Sequence, residues 1–165
     1  MESWYGFFAA QVASTAALAG LLFVALSVNI ASILRYSWLP ARAAQTLVVL
    51  MGALALSSLL LFPAPAHAFV AYAAVGVSLV TYVVTSRFSD VFTRVPDEWR
   101  AKPDRARALT VNLAASQLAT LPSLAGSIAI ALGNSAGYYA IACGVILALG
   151  FALLNSWVLL VEILR

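Results

Sequence analysis

GYYAIACGVILALGFALLNSWVLLV, residues 137–161, contains no Asp, Glu, Lys or Arg. Wound as an α-helix at ~1.5 Å per residue, a run of this length exceeds the ~30 Å hydrocarbon core of a bilayer. A charge-free stretch that long reads as a transmembrane helix, because a soluble core seldom surrounds one helix with apolar neighbours over its whole length. Composition points the same way. The chain is 64% hydrophobic and 9% charged, where a soluble domain carries about 25% charged residues.

Working outward from this block, four more apolar stretches reach spanning length, at about residues 5–34, 43–62, 68–86 and 108–132. The expected fold is therefore all-α, a single transmembrane domain over residues 1–165 built from five helices. Two connections are tight, PAPAHA at 63–68 and GNSAG at 133–137. Both are rich in the Pro, Gly and small residues that end helices. The N-terminal MESWYGFF lacks a basic segment, so a cleaved signal peptide is not expected.

The cations orient the bundle. Arg35 and Arg42 lie between the first two blocks, Arg87, Arg94, Arg100, Lys102, Arg105 and Arg107 between the third and fourth, and Arg165 ends the chain. With five spans, all of these fall on one side, which the positive-inside rule makes cytoplasmic. The N-terminus is then outside and the C-terminus inside. Trp4, Tyr5, Phe69, Tyr138 and Tyr139 would belt the outer interface, and Tyr36, Trp38, Phe88 and Trp99 the inner one. The cytoplasmic loop 87–107 carries two helix-start signals, Pro96 with Asp97 and Glu98, and Pro103 with Asp104. Phe88, Phe92, Val95 and Trp99 recur at near-helical spacing. That loop either lies against the headgroups or is a plain connector.

Polar and small residues form stripes along several spans. The first span offers Gln11, Thr15, Ala19, Ala25, Asn29 and Ser32, interrupted by Leu22, and the third offers Ala71, Ala74, Ser78, Thr81 and Thr85. The fourth is the clearest, with Asn112, Ser116, Thr120, Ser123 and Ser127 at spacings of four, four, three and four and Gln117 beside them. Two readings share these residues. They either hydrogen-bond helix to helix and let backbones approach, or they line a path for a neutral or weakly polar solute. The packing reading is the expectation, since a path for charged solutes brings an ionisable group deep into the membrane. Pro122, mid-span, removes one helical hydrogen bond and is expected to kink the fourth helix, with Thr120 and Ser123 able to satisfy the freed groups.

The last span places Gly137, Ala140, Gly144, Ala148, Ala152, Asn155 and Glu162 on one face, with Leu159 between the last two. Asn155 is then expected to be a helix-to-helix contact, as is Asn29. Glu162 is expected to anchor at the interface and pair with Arg165 three residues on.

Enzymatic chemistry is not expected. The chain has no HExxH, P-loop or GxGxxG pattern, one histidine (His67) and one cysteine (Cys143). That is too few ligands for a zinc or haem site and too few thiols for a redox pair. No cofactor is predicted, and bound lipid is the one small molecule allowed for. Nothing resembles the basic, aromatic-interleaved patch of a nucleic-acid binder.

Four segments, GLLFVALSVN (20–29), RAAQTLVVLMGALALSSLLLFP (42–63), QLATLPSLAG (117–126) and LNSWVLLVEILR (154–165), resemble a family of small bacterial multi-pass inner-membrane proteins without an assigned activity. Some of its members carry a label as modulators of a membrane protease. The resemblance implies a multi-spanning helical fold in a bacterial plasma membrane and supplies no catalytic or binding residues. The leading expectation is a non-enzymatic accessory or self-associating subunit, in contact with membrane lipids and with other membrane proteins or its own copies. The alternatives are a small channel or carrier lined by the fourth-span stripe and, more weakly, a binder of lipid, quinone or pigment.

Overall fold

The computed structural model describes residues 2–34, 39–63, 67–93 and 103–163. Among the described residues six helices follow one another: α1 (Glu2–Val28), α2 (Ile30–Ile33), α3 (Leu39–Leu59), α4 (His67–Thr93), α5 (Pro103–Ala131) and α6 (Gly137–Ile163). Among the described residues there is no strand. Five of these helices are long and apolar enough to cross a membrane, over Trp4–Val28, Leu39–Leu59, Ala68–Phe88, Thr110–Ala131 and Gly137–Leu159. This is the build of a multi-pass membrane protein. Its outer surface is apolar to match, with Leu21 71%, Leu154 69% and Trp157 67% exposed. Hydrocarbon tolerates such a surface and water does not.

Helices α3, α4, α5 and α6 form a closed ring, each packed along its two neighbours, and α1 lies outside the ring, mainly along α3. Neighbours run antiparallel. Phe8 near the start of α1 packs with Leu56 near the end of α3, and Leu22 packs with Leu50. The ring core holds Val49, Ala53, Ala74, Ala119, Val145 and Phe151. Ile33, Leu39, Ala43 and Leu159 close one end. At the opposite end, Trp4 stacks on Tyr138 with ring centroids 6.2 Å apart and meets Tyr139 edge-on at 4.8 Å. Trp4, Tyr138 and Tyr139, grouped in one belt by the sequence, therefore form an aromatic cluster, which pins α1 to α6. Tyr36, Trp38 and Trp99 of the inner belt lie outside the described residues.

The helix ends differ from the sequence expectation in ways the local chemistry explains. The first block, expected as one span over 5–34, breaks at Asn29, whose side-chain Nδ2 donates to Ala25 O at 2.9 Å. An Asn that bonds its own backbone competes with the helix ladder. Helix α3 starts at Leu39, so Arg42 stands in its first turn and not in a loop. Pro40 is tolerated there because the first-turn N–H groups have no helical partner. Of the loop expected over 87–107, residues 87–93 belong to α4 and residues 103–107 to α5, while 94–102 lie outside the described residues. Beyond the hydrocarbon, polar residues cost a helix little, and Pro103 opens α5 as its position predicts. The second helix-start signal at Pro96, and the interfacial placement of that stretch, lie outside the described residues.

The GNSAG turn shows why α5 ends where it does. Gly133 has φ +82°, Gly133 N donates to Ile130 O, and Asn134 N donates to Ala129 O, both at 2.9 Å. This pair of bonds is a Schellman cap, which needs a residue in the left-handed region and so favours glycine. Asn134 Oδ1 then accepts from Ala136 N at 2.9 Å and leads the chain into α6.

Candidate functional site

The sequence placed its candidate residues on stripes, and the structure turns those stripes into a polar seam inside the ring. The seam has three levels. At the end where α3 begins, Arg42 Nε and Nη2 donate to Asn155 Oδ1 at 3.0 and 2.9 Å. Asn155 Nδ2 in turn donates to Thr46 Oγ1 at 3.0 Å, while the Thr46 hydroxyl donates to Arg42 O at 2.9 Å. Asn155 is 3% exposed, and both ends of its amide join α6 to α3. Its partners were not legible in the sequence, because a cation at the edge of an apolar block reads as a topology marker. The one available signal was the polar spacing Arg42, Gln45, Thr46 at the head of an otherwise apolar span.

The second level crosses the ring. Asn112 Nδ2 donates to Gln45 Oε1 at 3.2 Å, joining α5 to α3, and Gln45 Nε2 reaches Thr85 O of α4 at 3.4 Å. Gln117 Nε2 donates to Ser86 Oγ at 3.1 Å, while its Oε1 is buried without a partner among the described residues.

The third level lies mid-span. Ser78 of α4 and Ser127 of α5 meet at 2.9 Å. Ser127 also donates to Ser123 O at 2.8 Å, Thr120 to Ser116 O at 2.9 Å, and Ser116 to Leu113 O at 2.9 Å. Ser78, Thr81, Thr120 and Ser123 surround a small cavity of about 20 Å³ with Val49, Gly52 and Ala148. Helix α5 continues through Pro122.

Every member of the fourth-span stripe therefore lies in the seam, and most of their hydrogens go to protein acceptors. Asn29 does not join it and bonds its own helix. Glu162 lies in α6, but its side chain, and Arg165, are outside the described residues. On the α1 side, Gln11 Oε1 and Ser57 Oγ are buried without partners among the described residues. Thr15, fully buried, donates to Gln11 O.

Close backbone contact accompanies the seam. A Cβ on Gly126 would stand 2.6 Å from Gly137 O, and one on Gly144 would stand 2.6 Å from Ser123 N. Only glycine allows α5 and α6 to come this near. A wider cleft of about 330 Å³ opens at the GNSAG end, between Phe62, Tyr72, Ile130, Asn134, Ser135 and Tyr138. The five residues of that turn also spell G-x-S-x-G, the pattern of a serine nucleophile elbow. Such an elbow is a sharp strand-to-helix turn, whereas here both flanking elements are helices and the glycines serve a cap and a helix contact. No protein family, curated protein or solved structure matches the chain.

Proposed function

We propose that this chain is a non-enzymatic membrane subunit of a bacterial plasma membrane, N-terminus outside, which associates laterally with another transmembrane helix through α1. The observation that carries this reading is the two-faced character of α1. Its buried residues Phe8, Thr15 and Leu22 recur every seven positions on the side toward α3. Gly6, Ala10, Ala13, Ala17 and Gly20 are all exposed, and at ~100° per residue they fall on the side directly opposite. A Cβ on Gly6 or Gly20 would have nothing within 4 Å. In lipid, where apolar side chains gain nothing by leaving the solvent, helices associate through small residues that let backbones approach. The seam, by contrast, is engaged within the chain, and its hydroxyls mostly bond backbone carbonyls. This favours the subunit reading over a solute path lined by α5. The likeness to small bacterial inner-membrane proteins and the one-sided cations support the location and orientation.

Native mass spectrometry of the protein extracted from its own membrane in a mild detergent tests the reading. A defined homo-oligomer or a stoichiometric complex with another membrane protein supports it. A monomer carrying lipid alone, with solute flux in liposomes, would replace it with the carrier reading.

A further inference from the structure

The mid-span cavity has a chemical polarity that follows from counting hydrogens. Thr81 donates its hydroxyl hydrogen to Val77 O at 2.8 Å, and Thr120 donates to Ser116 O at 2.9 Å. Either hydroxyl can donate in the 2.9 Å contact between Ser78 and Ser127, and with the Ser127 hydrogen placed on Ser123 O at 2.8 Å the donor is Ser78. Three of the four hydroxyls around the cavity thus have no hydrogen left and present lone pairs only. The fourth, Ser123, makes no side-chain hydrogen bond among the described residues, so its O–H is available to donate. The cavity measures about 20 Å³, and a water molecule needs roughly 10–15 Å³ of such space.

We infer that this cavity is a binding site for one water molecule, which donates to two of the three lone-pair hydroxyls Ser78, Thr81 and Thr120 and accepts from Ser123. Water fits in three respects. Its two hydrogens answer a wall of acceptors, its oxygen answers the one available donor, and three partners are the usual complement of a buried water. An acceptor-only ligand would face three lone pairs. A small cation would find oxygens but no formal charge among the lining residues, and taking an ion out of water into an uncharged site is costly. Gly52 shapes the site. A Cβ there would fall on the Thr81 side chain, so glycine lets that hydroxyl stand where it does. The water then joins α4 to α5 at half-span, the one level at which Thr81 and Thr120 are each bonded only to their own helix.

The test is a crystal structure of the intact protein at a resolution that shows ordered water, with a second crystal held under xenon pressure. The expected result is a single peak within hydrogen-bonding distance of Ser123 and of two of the three acceptors, and no xenon. Xenon in the cavity, or no peak, overturns the inference, because a dry site is an apolar one. A peak that strengthens with sodium concentration and shows shorter, ion-like contacts overturns it in favour of a cation. In the Thr81→Val, Thr120→Val variant the water should be lost and xenon should enter. If that variant does not fold, the native crystals still decide the matter.

Discussion

Glycine plays opposite parts on two surfaces of this molecule. Between α5 and α6, Gly126, Gly137 and Gly144 stand where a Cβ would meet backbone atoms of the facing helix. On the outside of α1, Gly6 and Gly20 have open space where a Cβ would be. Both sets sit in long apolar helices beside alanines, and both fit the small-residue pattern of helix association. The difference is that one contact is made within the chain and the other has no partner among the described residues. A small-residue stripe therefore reports a capacity for close approach and not the identity of what approaches.

The α5–α6 contact should give the largest effect. Gly137→Leu would drive a side chain into Gly126 O and Ile130. Overpacking of this kind costs about 3 kcal/mol, and here the obstacle is backbone, which cannot rotate away. Thermal unfolding in detergent should show a large drop in midpoint or no folded species. A variant as stable as the parent would mean that α5 and α6 do not meet at these glycines.

The seam comes next. Asn155→Leu removes the acceptor for Arg42 Nε and Nη2 and the donor to Thr46. A loss of about 2 kcal/mol is expected, since a hydrogen bond to a charged group is worth more than a neutral one. Pairing it with Thr46→Val in a double-mutant cycle should show the two costs to be less than additive. Additive costs would mean that the two side chains do not interact. A smaller change is expected for Ser78→Ala, which removes one neutral interhelical bond worth about 0.6 kcal/mol.

These features differ in how much of each can be read from the sequence. The five spans were legible because a charge-free run records its own length, with no need to know its neighbours. The stripe on α5 was legible as a face because hydroxyls and amides recur at helical spacing from Asn112 to Ser127. What that face touches was not legible. Gln45 and Ser78, its partners on other helices, are far away in sequence; Ser78 stands in a stripe of its own and Gln45 in none, and neither span says which face it meets. The sequence makes Asn155 a helix contact, yet the charge of its main partner, Arg42, points to a loop, whereas Arg42 stands in the first turn of α3. For α1 the difficulty was sharper, because that helix has two faces of small residues. The one with Gln11 and Thr15 drew attention by its polarity and includes the buried Thr15, while the one with Gly6 and Gly20 faces outward.

That outward face yields the smallest expected change in stability and the most decisive one for function. Gly6→Leu with Gly20→Leu adds two apolar side chains where nothing stands within 4 Å. The folded chain should gain or lose no more than about 0.5 kcal/mol, as for surface substitutions away from special features. Lipid accepts leucine as readily as glycine. Any partner helix seated on the stripe would be pushed away by the width of a side chain, and lateral packing in the membrane has little else to rely on. Unchanged thermal unfolding together with loss of the oligomer or complex in native mass spectrometry would locate association on α1. If the double variant unfolds earlier, α1 packs inside the molecule by a face other than that of Phe8, Thr15 and Leu22. If it keeps both stability and assembly, the interface lies elsewhere on the bundle, and the glycines of α1 are then tolerated in lipid without being used.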